Sequence, residues 1–176
     1  TEWTYASMWE SIAAAIPDKP AIVQQDVVMS WREMDRAANG LAAYLVDGGL
    51  GRQAKVAVYA RNCPEYLIGT YAAFKASLVP FNVNYRYGNE ELAYLFENGD
   101  AEAVLFETVY ADKIDAIRGR LPGVKLWIAV ERAGYPIPHW AVSYTDIAAA
   151  DSPPTGNGPR SSEDQMFIYT GGTTGM

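Results

Sequence analysis

The chain has 176 residues, with 14 Lys or Arg against 21 Asp or Glu, a formal net charge of −7. Hydrophobic residues make up 49% and charged residues 20%, a globular balance that excludes a disordered or fibrous polypeptide. The length lets one domain bury its own core. The acidic excess repels a phosphate backbone at long range and so argues against a nucleic-acid partner, but a nucleotide stays open because backbone amides can hold phosphate locally.

Cys63 is the only cysteine and His139 the only histidine. No internal disulfide can form, as suits a reducing compartment. A Cys/His nucleophile pair has poor support, because His139 sits in a Pro-flanked loop, so Cys63 is read as a small residue at a helix start. His139 has no ligand-type residues near it in sequence, and metal binding there is not expected. The start TEWTYASMWE lacks a basic segment followed by an apolar run, so no signal peptide is read. The longest stretch free of Asp, Glu, Lys and Arg, residues 133–145, is broken by Pro136 and Pro138 and falls short of the roughly 20 apolar residues that a spanning helix needs. The expectation is a soluble, cytoplasmic protein.

The first helix runs through SMWESIAAAI, with Met8, Ile12 and Ala15 on one face and Pro17 as its stop. Two β-like runs follow, Ala21–Gln24 and Val27–Met29, joined by a turn at Gln25 and Asp26. Ser30-Trp-Arg-Glu33 has the spacing of a capping box. The helix it opens lines up Met34, Ala38, Leu41 and Leu45 on one stripe, and Gly48 and Gly49 supply its left-handed end.

From Lys55 the pattern alternates. Val56–Ala60 is a short continuous apolar run, as in a strand buried on both faces. Asn62-Cys63-Pro64 opens a helix to about Ala76, with Pro64 where a missing N–H costs nothing. Val79–Phe81 is the next strand. A helix from Glu90 to Asn98 follows, closed by Gly99, with Glu90 and Glu91 at its positive end. Ala103–Phe106, a helix over Ala111–Arg120, and Lys125–Val130 continue the series. The fold class is therefore α/β: a mostly parallel sheet flanked by helices.

After Val130 the rhythm fails. GYPIPHW is a loop and Ser143–Ala150 holds one short helix. The domain reading is an α/β unit over residues 1–150, a Pro- and Gly-rich connector over 151–164, and residues 165–176 as a strand, Gln165–Tyr169, running into Thr170-Gly-Gly-Thr-Thr-Gly-Met176. Tyr85, Arg86 and Tyr87 are read as a surface loop packing its aromatics. The five tryptophans, Trp3, Trp9, Trp31, Trp127 and Trp140, are read as core or interface residues.

A strand entering a Gly/Thr-rich segment can hold phosphate. Glycines let the backbone approach an anion, and successive N–H groups converge on one concavity. Thr170, Thr173 and Thr174 add hydroxyls. On physics alone this is also compatible with an ordinary turn, and it lacks the lysine and spacing of GxxxxGK[ST].

The string FIYTGGTTGM resembles the signature of adenylate-forming enzymes, the superfamily of acyl-CoA synthetases, luciferases and peptide-synthetase adenylation domains, whose loop reads like YTSGTTGxPKG. Gly171 stands where serine is common, and the Pro-Lys-Gly continuation falls beyond Met176. VVMSWREMDRAANGLAAYL and KVAVYARNCPEYLIGTYAAFKASLVPFNVNYRYGNEELAYLFENGDAEAVLF extend the resemblance over nearly the whole chain, as does the Glu163-Asp164 lead-in. PFNVNYRY followed by an acidic helix start is most similar to bacterial fatty-acyl-CoA synthetases of the FadD type.

The resemblance implies an ATP-dependent ligase that joins a fatty or similarly apolar carboxylic acid to coenzyme A through an acyl-adenylate. Carried over by motif, Thr170, Gly171, Gly172, Thr173, Thr174 and Gly175 would contact the ATP phosphates, with Thr170 near Mg²⁺. The family's catalytic lysine and metal-binding glutamate have no counterpart in these 176 residues, so this stretch alone is expected to be inactive. A phosphate loop that closes only during catalysis is also expected to be nicked near Met176 by limited proteolysis, less so with ATP. Alternatives are an adenylation domain that loads a carrier protein, a non-catalytic α/β module, or a self-contained nucleotide-binding domain. The aromatic-rich surface permits a homodimer without requiring one.

Overall fold

The computed structural model describes residues 3–169. Helix α1 (Tyr5–Ala15) leads into a hairpin of β1 (Pro20–Gln24) and β2 (Val27–Ser30), which turns through Gln25 at φ 51°. Helix α2 (Trp31–Asp47) starts on the expected capping box. The Ser30 hydroxyl accepts from Glu33 N–H, and Glu33 Oε2 accepts from Ser30 N–H at 2.7 Å. Met34, Ala38, Leu41 and Leu45 are all buried along it, and Gly49 supplies the positive φ just past its end.

The central sheet has five parallel strands in the order β4-β3-β5-β6-β7, built from β3 (Lys55–Tyr59), β4 (Val79–Asn82), β5 (Ala101–Glu107), β6 (Leu126–Val130) and β7 (Val142–Ser143). The connecting helices are α3 (Pro64–Lys75), α4 (Asn89–Asn98), α5 (Ala111–Arg118) and α6 (Tyr144–Ala149). The α/β class, with a parallel sheet between helices, is as the sequence indicates.

The apolar runs are continuous because the sheet is covered on both faces. Val56, Val58, Ala103, Leu105, Ile128 and Val130 join one core cluster with residues of α2, α3 and α6. Ala57, Tyr59, Phe81, Val104, Phe106 and Ala129 join the other with residues of α4 and α5. Gly40 lets α2 and α6 touch backbone to backbone, since a Cβ there would stand 2.5 Å from the Ile147 carbonyl oxygen. The helices after β4 and β5 thus lie on the face opposite the helix after β3, which lies between those strands. That reversal opens a crevice at the carboxyl ends of the strands, where open α/β sheets take their ligands.

Two expectations need correction. Met8, Ile12 and Ala15 face solvent, while Ala6 and Ala13 are buried and Trp9 packs on the core, its ring 5.0 Å from that of Tyr71. An apolar stripe says which residues share a face but not which side the neighbour takes. The expected strand Gln165–Tyr169 contracts to a single parallel bridge, Phe167 to Phe81. Phe167 N–H donates to Pro80 O at 3.0 Å, but Pro80 has no N–H to return toward the incoming chain, so a regular ladder cannot form on that edge.

Candidate functional site at the carboxyl edge of the sheet

The chain reaches this edge twice at β4. Asn82 is the last residue of the strand, and Tyr169 lies alongside it. The Asn82 carboxamide binds the Tyr169 backbone from both ends: Tyr169 N–H donates to Asn82 Oδ1 at 3.0 Å, and Asn82 Nδ2 donates to Tyr169 O at 3.2 Å. The Tyr169 ring leans on Phe81 at 5.7 Å, and its hydroxyl meets Asn98 Oδ1 at 3.3 Å. Gly99 leaves room for that ring, because a Cβ there would sit 3.3 Å from the Tyr169 hydroxyl oxygen.

Next to this seat, the ends of β3, β5 and β6 carry a network of charges. Glu107 is almost fully buried. It accepts from Arg61 N–H at 2.7 Å, from Arg61 Nη2 at 3.0 Å and from Arg132 Nε at 2.7 Å. Arg132 also grips Glu65, at the start of α3, through both terminal nitrogens at 3.2 and 3.1 Å. Burial works against the Glu107 anion, but the hydrogen bonds from Arg61 and Arg132 outweigh it and hold the carboxyl down at about 2. Burial opposes Glu65 in the same way, and Arg132 again brings it below the usual range. Glu131 adds a further link, accepting from the Ser143 and Thr145 hydroxyls. Arg61, Asn62, Tyr66, Asn82 and Tyr85 line an open cleft of about 410 Å³ between β3 and β4.

A second network secures the connector at the opposite edge. Lys75, 1% exposed, gives its ammonium to Glu10 and Asp35 at 2.8 Å each and lies over the Tyr71 ring at 4.6 Å. Arg160 of the connector forks onto Glu10 at 2.5 and 2.8 Å. Arg52 pairs with the buried carboxylate of Asp164 at 2.6 Å, and Asn157 Nδ2 donates to Leu50 O and Ala76 O. The connector is thereby tied to the amino-terminal edge before the chain rises beside β4, parallel to it, to Tyr169.

Thr170, Gly171, Gly172, Thr173, Thr174 and Gly175, including the magnesium position at Thr170, lie outside the described residues. Cys63 caps α3, and burial, then Glu65, pushes its thiol up to about 12, so it is no thiolate nucleophile. Arg86 stacks over Tyr85 at 5.6 Å, while the Tyr87 carbonyl accepts from Lys113 Nζ, in keeping with a packed surface loop. The sequence reading missed Arg61, Glu65, Asn82, Glu107 and Arg132. A charged residue directly after an apolar strand run, as at Glu107 and Arg61, is the signal that could have found them.

The profile of AMP-binding enzymes matches residues 9–176. The chain belongs to the AMP-binding enzyme family. A medium-chain acyl-CoA ligase of Mycobacterium avium is 34% identical over 100% of this chain and 34% of its own length. A medium/long-chain-fatty-acid and 3-oxocholest-4-en-26-oate CoA ligase of Mycolicibacterium smegmatis is 34% identical over 97% of this chain and 31% of its own. The 176 residues thus span about a third of these curated relatives. In fold, the chain is similar to an anthranilate CoA ligase solved with anthranoyl-AMP, with a TM-score of 0.88 at 20% identity over 99% of this chain and 33% of that one. The described α/β unit thus shares its fold with about a third of that solved chain.

Proposed function

We propose that the full-length protein is an ATP-dependent acyl-CoA ligase acting on a medium- or long-chain fatty acid, and that Thr170–Gly175 bind the ATP phosphates. The observation that carries this reading is the seat of Tyr169 at the carboxyl end of β4, one residue before the Gly/Thr string. Ligands of such sheets collect outside the carboxyl ends of the strands. Membership in the AMP-binding family and 34% identity to a medium-chain acyl-CoA ligase and to a medium/long-chain-fatty-acid CoA ligase support the reaction class and the substrate class.

In this reaction the acid's carboxylate attacks the α-phosphorus of ATP, a P–O bond breaks, and pyrophosphate leaves. The thiol of coenzyme A then loses its proton and displaces AMP, giving the thioester. The first step gathers negative charge on phosphate oxygens, which fixed N–H and hydroxyl donors stabilise without reorganising. Backbone amides of Gly171, Gly172 and Gly175 and hydroxyls of Thr173 and Thr174 would supply those donors, and the Thr170 hydroxyl would help to hold Mg²⁺. The metal would neutralise phosphate charge. The ion network behind the cleft ties the ends of β3, β5 and β6 together. The lone Cys63 fits work in the reducing cytoplasm.

The test is thioester formation by the full-length protein given ATP, Mg²⁺, coenzyme A and fatty acids of graded length. Acyl-CoA, AMP and pyrophosphate should appear together, only with acid present. ADP as product, or turnover without acid, would refute the reading.

A further inference from the structure

We propose that Asn82 is a positioning residue for the nucleotide, aiming the Gly/Thr segment by fixing the backbone of Tyr169; this rests on the phosphate role proposed above. Elsewhere on this edge the incoming chain has little to hold. Pro80 offers no N–H, and among the described residues the two backbones pair at the isolated bridge of Phe167 with Phe81, where Phe167 N–H donates to Pro80 O. The Asn82 carboxamide completes the pairing, with its oxygen on Tyr169 N–H and its nitrogen on Tyr169 O. It plays the part of a peptide group supplied by a side chain. The two partners also fix which end is which, since an N–H requires the oxygen and a carbonyl requires the nitrogen. Holding both polar groups of one residue sets its peptide planes, and the plane after Tyr169 is the first one belonging to Thr170.

Other contacts also hold the chain down. The Tyr169 ring has its own supports in Phe81 and Asn98, and the connector is tied at the far edge through Arg52, Asn157 and Arg160. Changing the carboxamide alone should therefore misdirect the segment without releasing it. Asn82→Asp is the sharp variant: it keeps the shape but sets a second acceptor against the Tyr169 carbonyl. Asn82→Ala removes both bonds.

The experiment measures acid-dependent exchange of labelled pyrophosphate into ATP by the full-length protein, together with amide hydrogen exchange over residues 165–170. Both variants should raise the KM for ATP roughly tenfold, the scale of one or two lost hydrogen bonds. The KM for the fatty acid and the melting temperature should hold, and the Tyr169 amide should exchange faster. An unchanged ATP KM in Asn82→Asp overturns the positioning role. So does a parallel loss of both KM values and of melting temperature, which marks general destabilisation, or an unmoved Tyr169 amide. A wild-type protein with no exchange activity would instead refute the ligase reading, and this proposal with it.

Discussion

Arg132 Nε donates to Glu107 Oε2 at 2.7 Å, joining the ends of β6 and β5 across a buried carboxylate that Arg61 also holds. Removing one member of such a group leaves charge buried without its counterpart. Glu107→Gln keeps the size and gives up the charge, exposing Arg61 and Arg132 to each other. The expected loss is about 3 kcal/mol, read as a lower denaturation midpoint of the full-length protein. A change below about 0.5 kcal/mol would mean that Glu65 alone satisfies Arg132.

The same carboxylate makes stability depend on pH in a defined window. Its folded-state pKa is about 2 against an ordinary 4.5. A depressed acid contributes its full share above the unfolded value and loses it as pH falls through the folded one. Glu107 should therefore supply about 3 kcal/mol at neutral pH, and lose it between about pH 4.5 and 2. Melting curves across that range should converge for wild type and Glu107→Gln at the acid end and separate above it.

Lys75 is the pin of the connector. Lys75→Met fills similar space but takes the ammonium from Glu10 and Asp35 and loosens the carboxylate onto which Arg160 forks. A cost of about 3 kcal/mol is expected, with faster protease cleavage within residues 151–164. Equal cleavage of wild type and variant would show that Arg52 and Asn157 hold the connector unaided.

Two glycines should respond oppositely to alanine. In Gly40→Ala a Cβ would stand 2.5 Å from the Ile147 oxygen, so α2 and α6 must part. Overpacking of about 1–3 kcal/mol should outweigh the gain in helix propensity of about 1 kcal/mol. Gly119 follows α5 at φ −63° with open space around it, and Gly119→Ala should stabilise by about 0.4–1 kcal/mol through the unfolded state. Melting temperatures of the two variants check both signs.

What the sequence disclosed follows from the range of the forces involved. Strands such as Val56–Ala60 and helices such as that carrying Met34 and Leu45 declare themselves locally, through apolar runs, caps and period. The Gly/Thr string also announces itself in a few consecutive residues. Glu107 and Arg61 escape because their partners lie 25 and 46 residues away and no periodicity links them. Asn82 reads as a polar strand end until Tyr169 is seen beside it. At two residues, β7 is too short to have a pattern, and the single 3-10 turn at Thr108–Tyr110 merges into the start of α5. The outward turn of Met8 and Ile12 depends on where α1 docks, which its own residues do not record.

The central claim is that the Gly/Thr segment after Tyr169 grips the triphosphate. The most direct measurement is fatty-acid-dependent exchange of pyrophosphate into ATP by the full-length protein and its Thr173→Val/Thr174→Val variant. Wild type should exchange, and the variant should fall about a hundredfold, as when a transition-state donor is lost, with its melting temperature unchanged. A variant that exchanges at the wild-type rate would contradict the account.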